Sequence, residues 1–257
     1  MSERPKIRVR GLRKSFGFKR VLEGVDLDVA AGSSMVVIGG SGSGKSVLLK
    51  CILGLLEPDA GSIEIDGTNI LMLPRREQEA ARARIGMLFQ NGALFDSLPV
   101  WENVVFALLA QRRVSRREGQ RRAGDFLAQV GLAPSVGDLY PAELSGGMQK
   151  RVALARAIAR EPEIIFFDEP TTGLDPIMGA VIDGLIVDVV RRLGGTAVAI
   201  THDMASARRI GDAAAMLHKG HIIWDGPAST LMNSGNAMVD QFTHGSRDGP
   251  IQMELRR

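Results

Sequence analysis

The chain has 257 residues, 45% of them hydrophobic, with a formal net charge of +3 and a pI near 9.3. That length and apolar content suit one large α/β domain or a domain carrying an inserted lobe, and no apolar run approaches the ~20 residues that cross a bilayer. The single cysteine, Cys51, excludes an internal disulfide and is expected to serve packing.

The opening residues, Met1-Ser2-Glu3-Arg4-Pro5-Lys6, carry no apolar signal stretch, which predicts a cytosolic location. Ile7 and Val9 alternate with charged residues, as do Val25, Leu27 and Val29, the period of half-buried strands. Between them, Lys14 to Arg20 is a polar turn with two aromatics, one of which could stack on a base or simply cover the core edge. Met35 to Ile38 is a short buried strand, followed by Gly39-Gly40-Ser41-Gly42-Ser43-Gly44-Lys45-Ser46 and a helix from Val47 to Leu53. A glycine, four free residues, then Gly-Lys-Ser, set between strand and helix, is the phosphate-loop pattern. Glycines let backbone N–H groups turn inward, and with the helix N-terminus they form an anion site. Lys45 is placed to reach β- and γ-phosphates, and the Ser46 hydroxyl to ligate Mg²⁺.

Glu57-Pro58-Asp59 is expected to stop that helix. Ser62 to Ile70 predicts a hairpin through Asp66-Gly67. A charged helix follows over 74–84, and Ile85 to Phe89 is an apolar strand ending at Gln90, on the side where open α/β sheets bind ligands. From about 91 to 160 the pattern turns helical, as a lobe inserted into the α/β core. Val104, Val105, Ala107, Leu108 and Leu109 mark one helix. Ser115 with Glu118 predicts a capping box for the next, which Gly131 can end. Leu144-Ser145-Gly146-Gly147-Met148-Gln149 opens a further helix with Ser145 as N-cap, a second anion site in the same chain.

Ile164 to Phe167 is a buried strand ending in Asp168-Glu169. Paired carboxylates there suit a phosphate-loop site, Asp168 holding Mg²⁺ through water and Glu169 acting on the attacking water. Asp175-Pro176 starts a helix that ends near Gly194-Gly195. Thr196 to Ile200 is a strand, with His202 just beyond its C-terminal end. Residues 213–224 predict a β pair through Lys219-Gly220, and 227–242 short helices. The polar stretch 243–257 is expected to be an extended arm, with Phe242 and Ile251 as apolar anchors. Paired arginines at 75–76, 112–113, 116–117 and 121–122 fit solvated helix faces more simply than a surface held near anionic lipid. No nucleic-acid motif accompanies them.

In order and spacing, these features resemble the ATP-binding subunit of an ABC transporter over nearly the whole chain. Gly39 to Ser46 matches the Walker A loop, Gln90 the Q-loop glutamine and Leu144 to Gln149 the signature, with Met148 where many members have Gln. Ile164 to Glu169 matches Walker B with its catalytic glutamate, Gly173-Leu174-Asp175 the D-loop and His202 the switch histidine. Phe16 falls where the adenine-stacking aromatic belongs. The resemblance implies a single α/β nucleotide-binding domain with a core at about 1–90 and 161–242, an N-terminal antiparallel β subdomain, a helical lobe at about 91–160 and a tail at 243–257. It implies ATP and Mg²⁺, with Ser46, Gln90 and Asp168 at the metal and Glu169, His202 and Gln90 in catalysis. Phe16, Gly39, Gly40, Ser41, Gly42, Ser43, Gly44, Lys45 and Ser46 bind nucleotide, while Ser145, Gly146, Gly147 and Asp175 reach it in a head-to-tail homodimer. A separate integral-membrane permease receives the motion.

More narrowly, Gln90 to Leu98 with Glu102-Asn103-Val104, and the ending Gln241-Phe242, Gly245, Asp248-Gly249-Pro250-Ile251, look like the Mla-type phospholipid transporter ATPases. That match implies work at the cytoplasmic face of a bacterial inner membrane, with a periplasmic MCE lipid-binding protein and a small STAS-domain partner. Leu94, Phe95, Leu98 and Trp101 are expected to wall the permease groove. Two other readings stay open: an importer ATPase for amino acids or another small solute, and a non-transport ABC ATPase signalling to cell-wall enzymes.

Overall fold

The computed structural model describes residues 4–252. The chain divides into two compact units, Met1–Leu73 with Ala199–Arg257, and Pro74–Val198.

In the first unit, β1 (Ile7–Phe16), β2 (Lys19–Val29), β4 (Ala60–Ile65) and β5 (Thr68–Asn69) form an antiparallel sheet in the order β2-β1-β4-β5. Alternation puts Ile7, Val9, Val25, Leu27 and Ile63 on one face, and all five are buried. The β4/β5 turn has Asp66 and Gly67 at φ 51° and 73°, the left-handed pair that a two-residue hairpin needs. A second set of strands runs β10-β9-β3. β3 (Ser34–Ile38) pairs parallel with β9 (Ala213–His218), which turns through Lys219-Gly220 into antiparallel β10 (His221–Pro227). β3 is buried along its whole length, as a parallel strand covered on both faces should be.

Helix α1 (Lys45–Ile52) ends earlier than Glu57-Pro58-Asp59 predicts. Gly54 at φ 66° closes it, with Gly54 N–H donating to Cys51 O (3.0 Å) and Leu55 N–H to Lys50 O (2.8 Å). That is a Schellman motif, which satisfies the terminal carbonyls before the proline is reached. Cys51 is fully buried in α1, and burial pushes its thiol up to about 11. Helices α7 (Met204–Ile210) and α8 (Ala237–His244) complete the unit. The stretch after α8 is no extended arm within the described residues. Gln241 holds Ile251 by two bonds, Nε2 to Ile251 O (3.0 Å) and Ile251 N–H to Oε1 (2.7 Å). The remainder of the predicted tail, 253–257, lies outside the described residues.

The second unit holds α2 (Arg75–Arg82), β6 (Ile85–Leu88), α3 (Val100–Ala110), α4 (Arg116–Gln129), α5 (Gly146–Ile158), β7 (Ile164–Asp168), α6 (Pro176–Leu193) and the start of β8 (Thr196–Ile200). β6 and β7 are parallel, and Ile164 to Phe167 are all buried. α3, α4 and α5 pack around Val104, Val105, Leu127, Val152 and Leu154. Only half of the expected capping box forms. Ser115 Oγ accepts from Glu118 N–H (3.2 Å), but the Glu118 carboxylate turns to Arg121 and Arg122 instead. Bonds to two guanidinium groups outweigh one to a backbone amide. The arginine pairs at 116 and 121–122 are accounted for in the same way, Arg116 bonding Glu102 in bidentate fashion. Among the described residues, no helix is long and apolar enough to cross a membrane.

Candidate functional site

The glycine-rich loop leaves β3 and enters α1 with two positions that accept only glycine. A Cβ on Gly39 would sit 2.2 Å from Leu217 O, and one on Gly44, at φ 108°, would sit 2.9 Å from Val21 O. Lys45 is buried, and its ammonium donates to Gly39 O (2.7 Å) and Gly40 O (3.1 Å), so the cation is held against the loop it serves. No side chain caps the N-terminus of α1. Ser43 Oγ is buried with no hydrogen-bond partner among the described residues. Uncapped amides, a buried hydroxyl and a lysine converging on a concave loop fit a phosphate chain.

One pocket of about 330 Å³ is lined by Phe16, Lys19, Val21 and residues Gly42, Ser43, Gly44, Lys45, Ser46 and Val47. Of the two aromatics, Phe16 lines the pocket with its ring half exposed, and Phe18 stands wholly in solvent. Asp59 anchors the strand below Phe16, accepting from Lys14 Nζ (2.7 Å) and from Ser15 N–H (2.6 Å). These bonds, the lysine's first, hold its carboxyl below the usual range. Ser41 is exposed and outside the pocket lining. His202 is exposed, as is Asp203, while Thr201 is buried; Asp203 N–H bonds Thr201 Oγ1 (3.0 Å), and the Asp203 carboxylate caps α7 (2.8 Å to Ala205 N–H).

In the second unit, Gln90 follows β6 with its side chain exposed, and its main-chain oxygen accepts from Lys150 of α5. Arg156, about one and two-thirds turns further along α5, donates to Gly92 O (2.5 Å) and Ala93 O (2.7 Å). Fully buried Asn103 secures the next stretch: it accepts from Phe95 N–H (2.7 Å) and donates to Phe95 O (3.0 Å) and Leu98 O (3.0 Å). Trp101 corrects the expected groove wall. It is buried, with Arg116 over its ring at 5.1 Å, and belongs to the lobe's own packing. Phe95 and Phe106 instead form an exposed ring pair 4.6 Å apart.

Ser145 is the N-cap of α5, accepting from Met148 N–H (3.3 Å), with Gly146 exposed and Gly147 packed on Met178. Asp175 caps α6 through bonds from Ile177 and Met178 N–H, both 3.0 Å. Glu169, one residue past β7, has φ 49° and accepts from Thr172 Oγ1 (3.1 Å). A non-glycine residue held there carries ~1–3 kcal/mol of backbone strain. Among the described residues, no three His, Cys, Asp or Glu side chains cluster tightly enough to hold a metal ion. Mg²⁺ bound by one carboxylate, a hydroxyl and substrate phosphates needs no such cluster. The motif reading gave Lys150, Arg156 and Asp59 no role at the site, and Asn103 entered it only within the stretch Glu102-Asn103-Val104. Arg156 left one trace, a charge within the apolar run Val152 to Ile158.

A phosphate loop with an aromatic-walled pocket, in an α/β chain with a capped glycine-rich helix start and a carboxylate pair after a buried strand, defines a P-loop ATPase. The family model for ABC transporters matches residues 22–172. The chain belongs to that family, as an ATP-binding, ATP-hydrolysing subunit. It is 43% identical over 249 residues to a probable ribonucleotide transport ATP-binding protein mkl of Mycobacterium leprae, covering 96% of this chain and 71% of that one. It is 38% identical to the intermembrane phospholipid transport system ATP-binding protein MlaF of Haemophilus influenzae, covering 96% and 94%. It is also 38% identical to the arginine/ornithine transport ATP-binding protein AotP of Pseudomonas aeruginosa, covering 94% and 98%. Among solved structures, the dimeric post-hydrolysis state of the ATP-binding cassette MJ0796 bound to ADP and Pi aligns with TM-score 0.78 and 33% identity, over 86% of this chain and 98% of that one.

Proposed function

We propose that this subunit powers phospholipid movement between the inner and outer membranes of a diderm bacterium. The reading is carried by the likeness to MlaF across nearly the full length of both chains. It is supported by the two stretches that set the narrower resemblance apart, since both are built features. Asn103 organises the segment after Gln90, and Gln241 ties down Ile251 near the end of the described chain.

In this reading Phe16 stacks the adenine, the loop amides and Lys45 take the phosphates, and Glu169 orients and deprotonates water. Gln90 and His202 serve catalysis with Glu169. Ser46, Asp168 and Gln90 would hold Mg²⁺, which when bound neutralises charge on the β- and γ-oxygens. Two copies pair head to tail, so that Ser145, Gly146, Gly147 and Asp175 of one serve the nucleotide of the other. Phe95 and Phe106 offer the apolar surface for a permease helix at the cytoplasmic face of the inner membrane. A periplasmic MCE protein and a small STAS-domain protein complete the assembly.

The equal identity to AotP favours a second reading, an importer ATPase for basic amino acids. Deleting the gene decides between them. The phospholipid reading predicts detergent sensitivity and phospholipid accumulation in the outer leaflet of the outer membrane. An intact outer-membrane barrier with lost arginine uptake supports the importer instead.

A further inference from the structure

Lys150 is a buried lysine near the start of α5, 7% exposed, between Gln149 and Arg151 and just ahead of the buried run Val152-Ala153-Leu154. Burying an ammonium costs free energy unless it is paired, and an apolar residue of the same length would pack more cheaply. Its ammonium donates to the main-chain oxygen of Gln90. It also lies in the field of Asp168 and Glu169. Burial lowers its pKa, and the two carboxylates, Asp168 ahead of Glu169, pull it part of the way back. The cation is thus bonded to the main chain just past β6 and feels the carboxylates at the end of β7. Arg156 of the same helix fixes the next turn of the loop through Gly92 O and Ala93 O.

We infer that Lys150 is a positioning residue for ATP hydrolysis: its ammonium fixes the main chain at Gln90, just past β6, so that Gln90 keeps one place relative to Asp168 and Glu169 at the end of the paired strand β7. The inference rests on the roles proposed above for Gln90 and Glu169. β6 and β7 run side by side through Leu88 and Phe167, so a shift of the main chain at Gln90 changes its place against the residues that follow β7. Misplacement of a catalytic group by about 1 Å costs on the order of 100-fold in rate, so the loss of this cation should appear in kcat.

The test compares wild type, Lys150→Met and Lys150→Arg as full chains, measuring ATP Kd, kcat and thermal midpoint. Lys150→Met should bind ATP within about three-fold of wild type while kcat falls by about 10- to 100-fold. Lys150→Arg should restore most of kcat, because it keeps the charge and can donate to the same main-chain oxygen. Wild-type kcat in Lys150→Met overturns the inference. So does a fall in kcat that tracks an equal loss of ATP affinity and thermal midpoint without rescue by arginine. Glu169→Gln in parallel separates the layers: binding without turnover supports the underlying site, and full turnover there overturns both.

Discussion

Phe16→Ala removes the one aromatic wall of the pocket while leaving the phosphate loop untouched. The ring is 49% exposed and lines the same pocket as Gly42 to Val47, so one face is available to a base. Base–aromatic stacking is worth ~1–3 kcal/mol, with the lower half of that range fitting a ring open to solvent. At 1.4 kcal/mol per decade, ~1–2 kcal/mol predicts a rise in ATP Kd of about 5- to 30-fold. Calorimetric titration measures this directly, with tripolyphosphate as the ligand that lacks a base. The account predicts that tripolyphosphate affinity is unchanged in Phe16→Ala, that Phe16→Trp binds ATP at least as well as wild type, and that Phe18→Ala is silent. An unchanged ATP Kd, or equal weakening of both ligands, refutes the stacking assignment.

Lys45→Ala removes a charged donor worth ~1.5–3 kcal/mol, so ATP affinity should fall by about 10- to 150-fold and phosphate release should drop to background; retained activity places the site elsewhere. Asp59→Ala frees Lys14 and Ser15, and ATP KM should rise by about two- to five-fold through displacement of Phe16, a small effect because the clamp is exposed. The folded pKa of Asp59 is depressed, so the clamp is present at neutral pH and is lost only as pH falls through a value below the ordinary 3.8; KM should therefore show no dependence on this group between about pH 5 and pH 8. Asn103→Ala removes the partners of the part-buried Phe95 N–H and Leu98 carbonyl, while Phe95 O keeps Leu98 N–H, a loss of ~1–2 kcal/mol in urea unfolding, together with weaker retention of the permease. A variant as stable and as well assembled as wild type contradicts that role.

Local rules carried the sequence reading wherever one residue type satisfies one geometric demand. The phosphate loop, the Asp66-Gly67 turn and the N-caps Ser145 and Asp175 all fall where the chain predicts them, because each is set by neighbours within four residues. The errors came where two local options competed or where a distant group decided. Gly54 ended α1 before Pro58 could, and Glu118 bonded arginines instead of its own helix start. Trp101 carried the signature of a docking aromatic, but Arg116, 15 positions on, covers its ring. Lys150 and Arg156 were invisible to periodicity because their partners are main-chain oxygens at Gln90, Gly92 and Ala93, some 60 residues away. Composition alone did not separate Phe16 from Phe18; the resemblance picked Phe16, which is the one that lines the pocket.

The central claim is that ATP hydrolysis by this subunit drives phospholipid movement through a membrane partner. Tagging the chain, purifying the complex from membranes in mild detergent and weighing it by native mass spectrometry tests that claim most directly. The account predicts two copies of this chain with a polytopic permease and an MCE protein, carrying bound phospholipid. A permease recovered with a soluble amino-acid-binding protein, free of lipid and stimulated in ATPase activity by arginine, would contradict it.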